Sequence, residues 1–170
     1  MLVAVAGTFL YAHIRKLSVL DIFDYFAPTL GLGLIFARVG CYLNGCCFGT
    51  PTELPWGISF PPGSIPYAIF QNAHLHPAQI YSSLYGLGLF VFLHFMMKHR
   101  SFIGQITALM FMTEAVFRFL IEYVRYYEDA MFFSIGGIEP TYNQAISLFL
   151  FLLGLGIYLI QRKRAPLPNN

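Results

Sequence analysis

The sequence predicts an all-α membrane protein: a polytopic helical bundle of about five transmembrane segments, the first of them incomplete. Three observations predict it. The chain is 57% hydrophobic and only 11% charged, where a soluble domain carries about 25% charged residues. Its apolar residues fall into long runs, and short basic clusters follow several of them. No linker, internal repeat or low-complexity tract breaks the pattern, so residues 1–170 read as one transmembrane helical domain. The net charge of +2 is too small to suggest a nucleic-acid partner.

The first apolar run, Met1 to about Ile14, is shorter than the roughly 20 residues a span needs. It is expected to be the tail of a longer helix. Arg15 and Lys16 follow it rather than precede it, which is not the layout of a signal peptide. The second segment is about Leu20 to Phe48. The third, Pro77 to Met97, opens on proline, which suits a first helical position because that N–H would be unpaired anyway. The fourth is Ile103 to about Val124, and the fifth is Tyr142 to Ile160.

Residues 49–76 carry no Lys or Arg but five prolines, among them Pro51 and Pro66, together with Trp56, Phe60, Tyr67 and Phe70. Proline keeps a chain irregular and aromatic rings favour the membrane interface. This segment is expected to be an external loop. Arg15 and Lys16, Lys98 and Arg100, and Arg162 to Arg164 fall on one side if all five segments cross. The positive-inside rule then places the C-terminus in the cytoplasm and the N-terminus outside.

Arg38 is the only full charge between Phe26 and Phe48. Burying it at membrane depth costs roughly 2.5–3.5 kcal/mol on insertion scales, and arginine does not escape by deprotonating. At 1.5 Å per residue it lies roughly 18 Å along its segment, while Glu114 and Arg118 lie roughly 16 and 22 Å along theirs. Asn44, His76, Gln79, Asn143 and Gln144 sit at the outer ends of their segments. Together these residues predict a polar cavity opening toward the outer leaflet.

Glu114, Arg118, Glu122 and Arg125 are spaced four, four and three apart and are expected to form one charged helical stripe. In one reading they are structural ion pairs, Glu114 with Arg118 and Arg118 with Glu122. That reading leaves Arg38 and Arg125 without partners. Unpaired guanidinium groups suit a phosphate, which they grip with two hydrogen bonds. Asp21 and Asp24 are expected to be solvated at the inner boundary. Gly40, Gly45 and Gly49 are expected to allow close helix packing. Cys41, Cys46 and Cys47, with His74 and His76, match no standard spacing of paired zinc ligands, so neither a metal nor another cofactor is expected. An odd count of cysteines in a membrane segment does not read as a disulfide framework.

The stretch FARVGCYLNGCCFG resembles the signature G-R-x-G-N-F-x-N-G-E of the prolipoprotein diacylglyceryl transferase family, with Arg38, Gly40, Asn44 and Gly45 matching. Leu75 to Tyr81, LHPAQIY, is similar to H-P-[ST]-Q-L-Y. Arg118 to Arg125, RFLIEYVR, is similar to R-F-x-x-E-F-x-R. Gln144 to Ser147 is similar to the G-Q-x-x-S that opens the last helix. Ala37, Cys41, Cys46, Ser82 and Asn143 depart from the pattern. The family's upstream H-G-G-L segment, with its catalytic histidine, has no counterpart here, which leaves a fragment and a divergent paralogue both open.

The resemblance implies a transferase of the bacterial cytoplasmic (inner) membrane that serves lipoprotein biosynthesis. It would move a diacylglyceryl group from phosphatidylglycerol to the cysteine thiol of a lipobox-containing preprolipoprotein. Arg38 and Arg125 would hold the phosphate. Asn44, Gly45 and Gln79 would contact the headgroup, and Arg118 and Glu122 would position the arginines. The catalytic base is unknown, and His76 is a poor substitute for the missing histidine. A catalytically inactive paralogue or scaffold that binds lipid headgroups is the alternative. A small transporter would usually show an internal repeat, and none is seen.

Overall fold

The computed structural model describes residues 2–127 and 141–164. They form six helices: α1 (Leu2–Arg15), α2 (Val19–Leu43), α3 (Ile65–Phe70), α4 (Ala78–Lys98), α5 (Gln105–Ile121) and α6 (Tyr142–Arg164). No strand forms among the described residues, only three isolated bridges. By length and composition three helices can cross a membrane: α2, α4 and α6. With 17 residues, α5 reaches roughly 26 Å, short of a hydrocarbon core of about 30 Å. Outward faces are apolar, with Phe36, Leu84, Leu120 and Phe149 all exposed, as lipid-facing surfaces are.

Helices α2 and α4 pack closely because each contributes a glycine at the crossing. A Cβ on Gly31 would stand 2.8 Å from the Gly86 carbonyl oxygen, and one on Gly86 would stand 2.9 Å from that of Gly31. The expectation for Gly40, Gly45 and Gly49 does not hold for helix packing. A Cβ on Gly40 meets open space, while Gly45 and Gly49 lie beyond the end of α2. Ala27, Leu89, Leu93 and Ile106 form the core between α2, α4 and α5. On the far side, α6 packs on α5, with Gly154 against the Ala108 carbonyl.

The expectation that Asp24 is solvated is overturned. Asp24 is 0% exposed. The N–H groups of Gly104 and Thr107 donate to its carboxylate at 2.7 Å each, and the Thr107 hydroxyl donates at 2.7 Å. Gly104 is the N-cap of α5, in left-handed backbone with φ +89°, and has no side chain to cap with. Asp24, on α2, therefore supplies the cap from a neighbouring helix. Arg100 lies 3.4 Å from Asp24 and 2.7 Å from Asp21, which fixes the α4–α5 connection to the same end of the bundle. The solvated reading failed because helix ends leave N–H groups that only a carboxylate from elsewhere could satisfy here.

These contacts gather the start of α2, the end of α4 and the start of α5. The end of α6 joins them, since a Cβ on Gly104 would lie 3.3–3.6 Å from Leu20, Ile157 and Gln161. All three basic clusters thus sit at one end of the bundle. The opposite end collects the end of α2, the start of α4, the end of α5 and the start of α6. There residues 49–76 are more ordered than expected. They include α3, whose N-cap Ser64 accepts the Tyr67 N–H, and Leu75 bridges both Pro51 and Ile58. Phe48, Phe60 and Leu75 make a second small core beneath them.

Removing the Asp24 carboxylate leaves two buried N–H groups and Arg100 undercompensated. Asp24→Ala is expected to cost about 3 kcal/mol, read by equilibrium unfolding in mixed micelles against the exposed-site control Glu53→Ala. Equal stability of the two variants would remove Asp24 from this role.

Candidate functional site

The polar end of the bundle begins where α2 stops. It stops at Leu43 rather than at Phe48, because Gly45 adopts φ +66°. The Gly45 N–H then donates to the Tyr42 carbonyl at 3.1 Å and the Cys46 N–H to the Cys41 carbonyl at 3.0 Å. This pair of bonds is a Schellman closure, which glycine favours at its left-handed position. Asn44 is the C-cap and is exposed; Gly45 is buried. From α4, the Gln79 amide N–H donates to the Cys46 carbonyl at 2.8 Å. Gln79 is 1% exposed, so the turn after α2 is pinned to the start of α4.

A second set of backbone bonds joins three segments. The Gly49 N–H donates to the His76 carbonyl at 3.0 Å, and the His76 N–H to the Thr50 carbonyl at 2.9 Å. The Thr50 N–H donates to the Val124 carbonyl at 2.9 Å, and the Tyr126 N–H to the Phe48 carbonyl at 3.2 Å. Only glycine fits at position 49, since a Cβ would lie 2.5 Å from both His76 and the Val124 carbonyl. Phe48 stacks on Tyr126 with ring centroids 5.6 Å apart. This stitching holds Arg125 in place as the bridge partner of Gly49.

Arg38 and Arg125 line two separate cavities. The Arg38 side chain lines one of about 180 Å³, almost wholly apolar, with Tyr42, Gln79 and Ser83. Arg125 faces one of about 360 Å³ with Cys46, Cys47, Ile65 and Tyr127. Between them runs the bonded pair of Gln79 and the Cys46 carbonyl, each on one wall. The Nε atoms of both arginines are buried and have no hydrogen-bond partner among the described residues. Neither guanidinium forms an ion pair among them. Buried donors are ordinarily satisfied; the Gln79 Oε1 and Tyr85 hydroxyl oxygens are likewise without a partner among the described residues.

The expected stripe along α5 is divided. Arg118 donates from Nε to Glu114 at 3.0 Å. Glu122, at the C-cap of α5, pairs with neither arginine of the stripe. It accepts from the Tyr127 hydroxyl at 2.6 Å and the Thr141 hydroxyl at 2.7 Å, and is 7% exposed. Arg125 lies beyond the helix, its guanidinium carbon 4.9 Å from the centroid of the Tyr127 ring. Spacing by threes and fours holds only while the helix continues, and α5 ends at Ile121.

Tyr127 and Thr141 were not among the residues singled out from the sequence. Thr141 carried a signal, because T-Y-N-Q at 141–144 is a capping box. The Thr141 N–H donates to the Gln144 side chain at 3.1 Å, and the Gln144 N–H to the Thr141 hydroxyl at 3.2 Å. Asn143 donates to the Tyr127 hydroxyl at 3.1 Å. Tyr127 gave no periodic signal, since it lies in no helix. Half-buried His76 lies 3.4 Å, through Nδ1, from the Tyr81 hydroxyl, which accepts from the Trp56 indole at 2.8 Å.

Fold and site together define a class: an integral helical membrane protein with, at one end of its bundle, two arginines that have no carboxylate partner among the described residues. Residues 1–160 match the family described as prolipoprotein diacylglyceryl transferase. The chain belongs to that family. It is 34% identical over 159 residues to the phosphatidylglycerol–prolipoprotein diacylglyceryl transferase of Clostridium tetani, covering 93% of this chain and 60% of that protein. The proteins of that name from Bordetella parapertussis and Nitratidesulfovibrio vulgaris are each 32% identical, over 88% and 93% of this chain and 55% and 56% of theirs. The chain thus spans little more than half the length of these relatives.

Burial, and then the hydrogen bond to Glu122, push the Tyr127 phenol from its ordinary 10.0 up to about 12. The fold therefore favours the neutral phenol. Its contribution to stability is complete below pH 10 and fades as pH rises from 10 through 12. The phenolate absorbance difference between the parent protein and Tyr127→Phe should rise with a midpoint near 12. A midpoint at the ordinary phenol value would show that the bond to Glu122 does not form.

Proposed function

We propose that this chain carries the headgroup-binding end of a diacylglyceryl transferase. The reaction would pass a diacylglyceryl group from phosphatidylglycerol to the thiol of a lipobox cysteine on a preprolipoprotein. The reading is supported by family membership, but the single observation that carries it is the pair of buried, unpartnered arginine Nε atoms on either side of the turn after α2. Phosphodiester oxygens accept from guanidinium groups with charge-assisted, often bidentate geometry. Arg125 takes the phosphate in the larger cleft, Arg38 adds its positive charge from the far side of the turn, and Asn44, Gly45 and Gln79 shape that turn against the headgroup. Glu122 positions Arg125 through Tyr127, whose hydroxyl it binds and whose ring lies beneath the guanidinium. Arg118, paired with Glu114, braces the same helix end.

In the transfer the peptide thiol loses its proton, the sulfur forms a bond to the glyceryl carbon, and the carbon–oxygen bond to phosphate breaks. A glycerophosphate anion leaves. Free thiols have a pKa of about 8.5, so a base must take the proton. His76 and His74 are the imidazoles of the 49–76 segment at this end of the bundle, and His76 is the half-buried one of the two. The His76 ring is steadied by the Tyr81 hydroxyl, 3.4 Å from Nδ1, and is the side chain we assign to that base. The charge that grows on the leaving phosphate is met by arginines already in place, which is where electrostatic catalysis acts. The cationic end of the bundle faces the cytoplasm under the positive-inside rule. The arginine clefts then open toward the outer leaflet of the bacterial cytoplasmic membrane, with the N-terminus outside and the C-terminus inside.

The test is transfer of labelled diacylglyceryl from phosphatidylglycerol vesicles to a lipobox peptide, with binding of the same lipid measured alongside. Arg38→Ala and Arg125→Ala should each lower transfer by about 10²–10³, the loss typical of one preorganised electrostatic donor. Unchanged transfer in both variants would remove the arginines from the mechanism. Saturable lipid binding by the parent chain with no transfer would instead mark it as a headgroup-binding paralogue or scaffold.

A further inference from the structure

Three cysteines have no role in the reading above. Cys41 lies in the last turn of α2, and Cys46 and Cys47 in the turn that follows. The Schellman closure places Cys46 back over Cys41, the pair of positions whose side chains ordinarily share an apolar contact. Here both carry thiols. Cys47 then takes φ +61°, a left-handed backbone that costs a residue with a Cβ about 1–2 kcal/mol. The outcome is that the three Sγ atoms all lie within 4.8 Å of one another. All three cysteines are free thiols and half-buried. Packing alone asks for small apolar side chains here and does not account for a strained third cysteine.

We propose that Cys41, Cys46 and Cys47 form a three-thiolate site for a soft monovalent cation of the Cu(I) class. Metal–sulfur bonds of about 2.3 Å around one ion set trigonal sulfurs about 4 Å apart. The thiols need to close by less than about 1 Å to reach that spacing. Thiolates favour Cu(I), zinc and iron–sulfur clusters, and the clusters are held by four cysteines. Structural zinc takes four ligands, and no His, Asp or Glu joins this group among the described residues. On binding, three S–H protons pass to solvent and three sulfur–metal bonds form, with no change in oxidation state. The product carries two net negative charges. Two cations flank it: Arg38, one turn before Cys41 on the same helix face, and Arg125, which lines the same cavity as Cys46 and Cys47.

The experiment uses the full chain, reduced and handled without oxygen in detergent micelles. Cu(I) is titrated against a chromophoric Cu(I) chelator, and the loaded protein is studied by X-ray absorption. One Cu(I) per chain with three sulfur neighbours is expected. Cys41→Ser, Cys46→Ser and Cys47→Ser should each weaken binding by more than the roughly 10–100-fold that loss of an outer-shell partner costs. Trp56 fluorescence confirms that each variant is folded, and the absorption measurement on the parent chain needs no variant. Affinity unchanged in the triple serine variant, dependence on only one of the three residues, or fewer than three sulfur neighbours would each overturn the site. The readout is metal affinity, so it stands or falls separately from lipid transfer.

Discussion

Asp24 is a carboxylate with no exposure to water, and the bundle tolerates it because four groups converge on it. Two are N–H groups at the first turn of α5, one is the Thr107 hydroxyl, and one is Arg100. The helix end and the carboxylate need each other. The cap residue is glycine, so α5 has no cap of its own, and Asp24 has no water. A helix whose N-terminus is anchored this way cannot slide or rotate against α2. Everything α5 carries, from Glu114 to the Glu122 cap, is therefore fixed relative to Arg38 at the other end of α2. The anchor is at the basic end of the bundle and its consequence is at the opposite one.

At that opposite end the backbone sets the geometry. Helix α2 ends on Gly45, the chain returns beneath His76, and Gly49 admits the Val124 carbonyl at a distance no Cβ would allow. These bonds take up the N–H groups of Gly49, Thr50, His76 and Tyr126. Four carboxylates of the described residues are paired as well. Asp21 and Asp24 serve Arg100, Glu114 serves Arg118, and Glu122 serves two hydroxyl groups.

The helical class and the approximate extents of the long helices were legible because a membrane imposes length and hydropathy, which composition records directly. Arg38 was legible for the same reason, since a lone cation in an apolar run stands out. What was not legible depends on contacts between distant segments. Asp24 looks like a boundary residue until the glycine cap of α5 is placed beside it. The stripe from Glu114 to Arg125 was drawn by helical spacing past a helix that ends at Ile121. The glycines at 40, 45 and 49 have the period of a packing motif, yet the pair that lets α2 and α4 touch is Gly31 and Gly86. Spacing along one chain does not reveal which face a partner helix will use.

The division of charge at the polar end gives the strongest argument about what the clefts are for. A structural arginine in an apolar bundle is stable when a carboxylate neutralises it, and this fold does that for Arg100 and Arg118. It could have done so for Arg125, since Glu122 lies only three residues away. Instead Glu122 binds Tyr127 and Thr141, and the Tyr127 ring rather than a carboxylate faces the guanidinium. An aromatic face steadies a cation without cancelling its charge. Arg125 is thereby steadied without a carboxylate partner among the described residues, and Arg38 across the turn has none among them either. A bundle selected for stability alone would pair these charges. Under the proposed function, holding them without a carboxylate among the described residues suits a site that takes up and releases an anion.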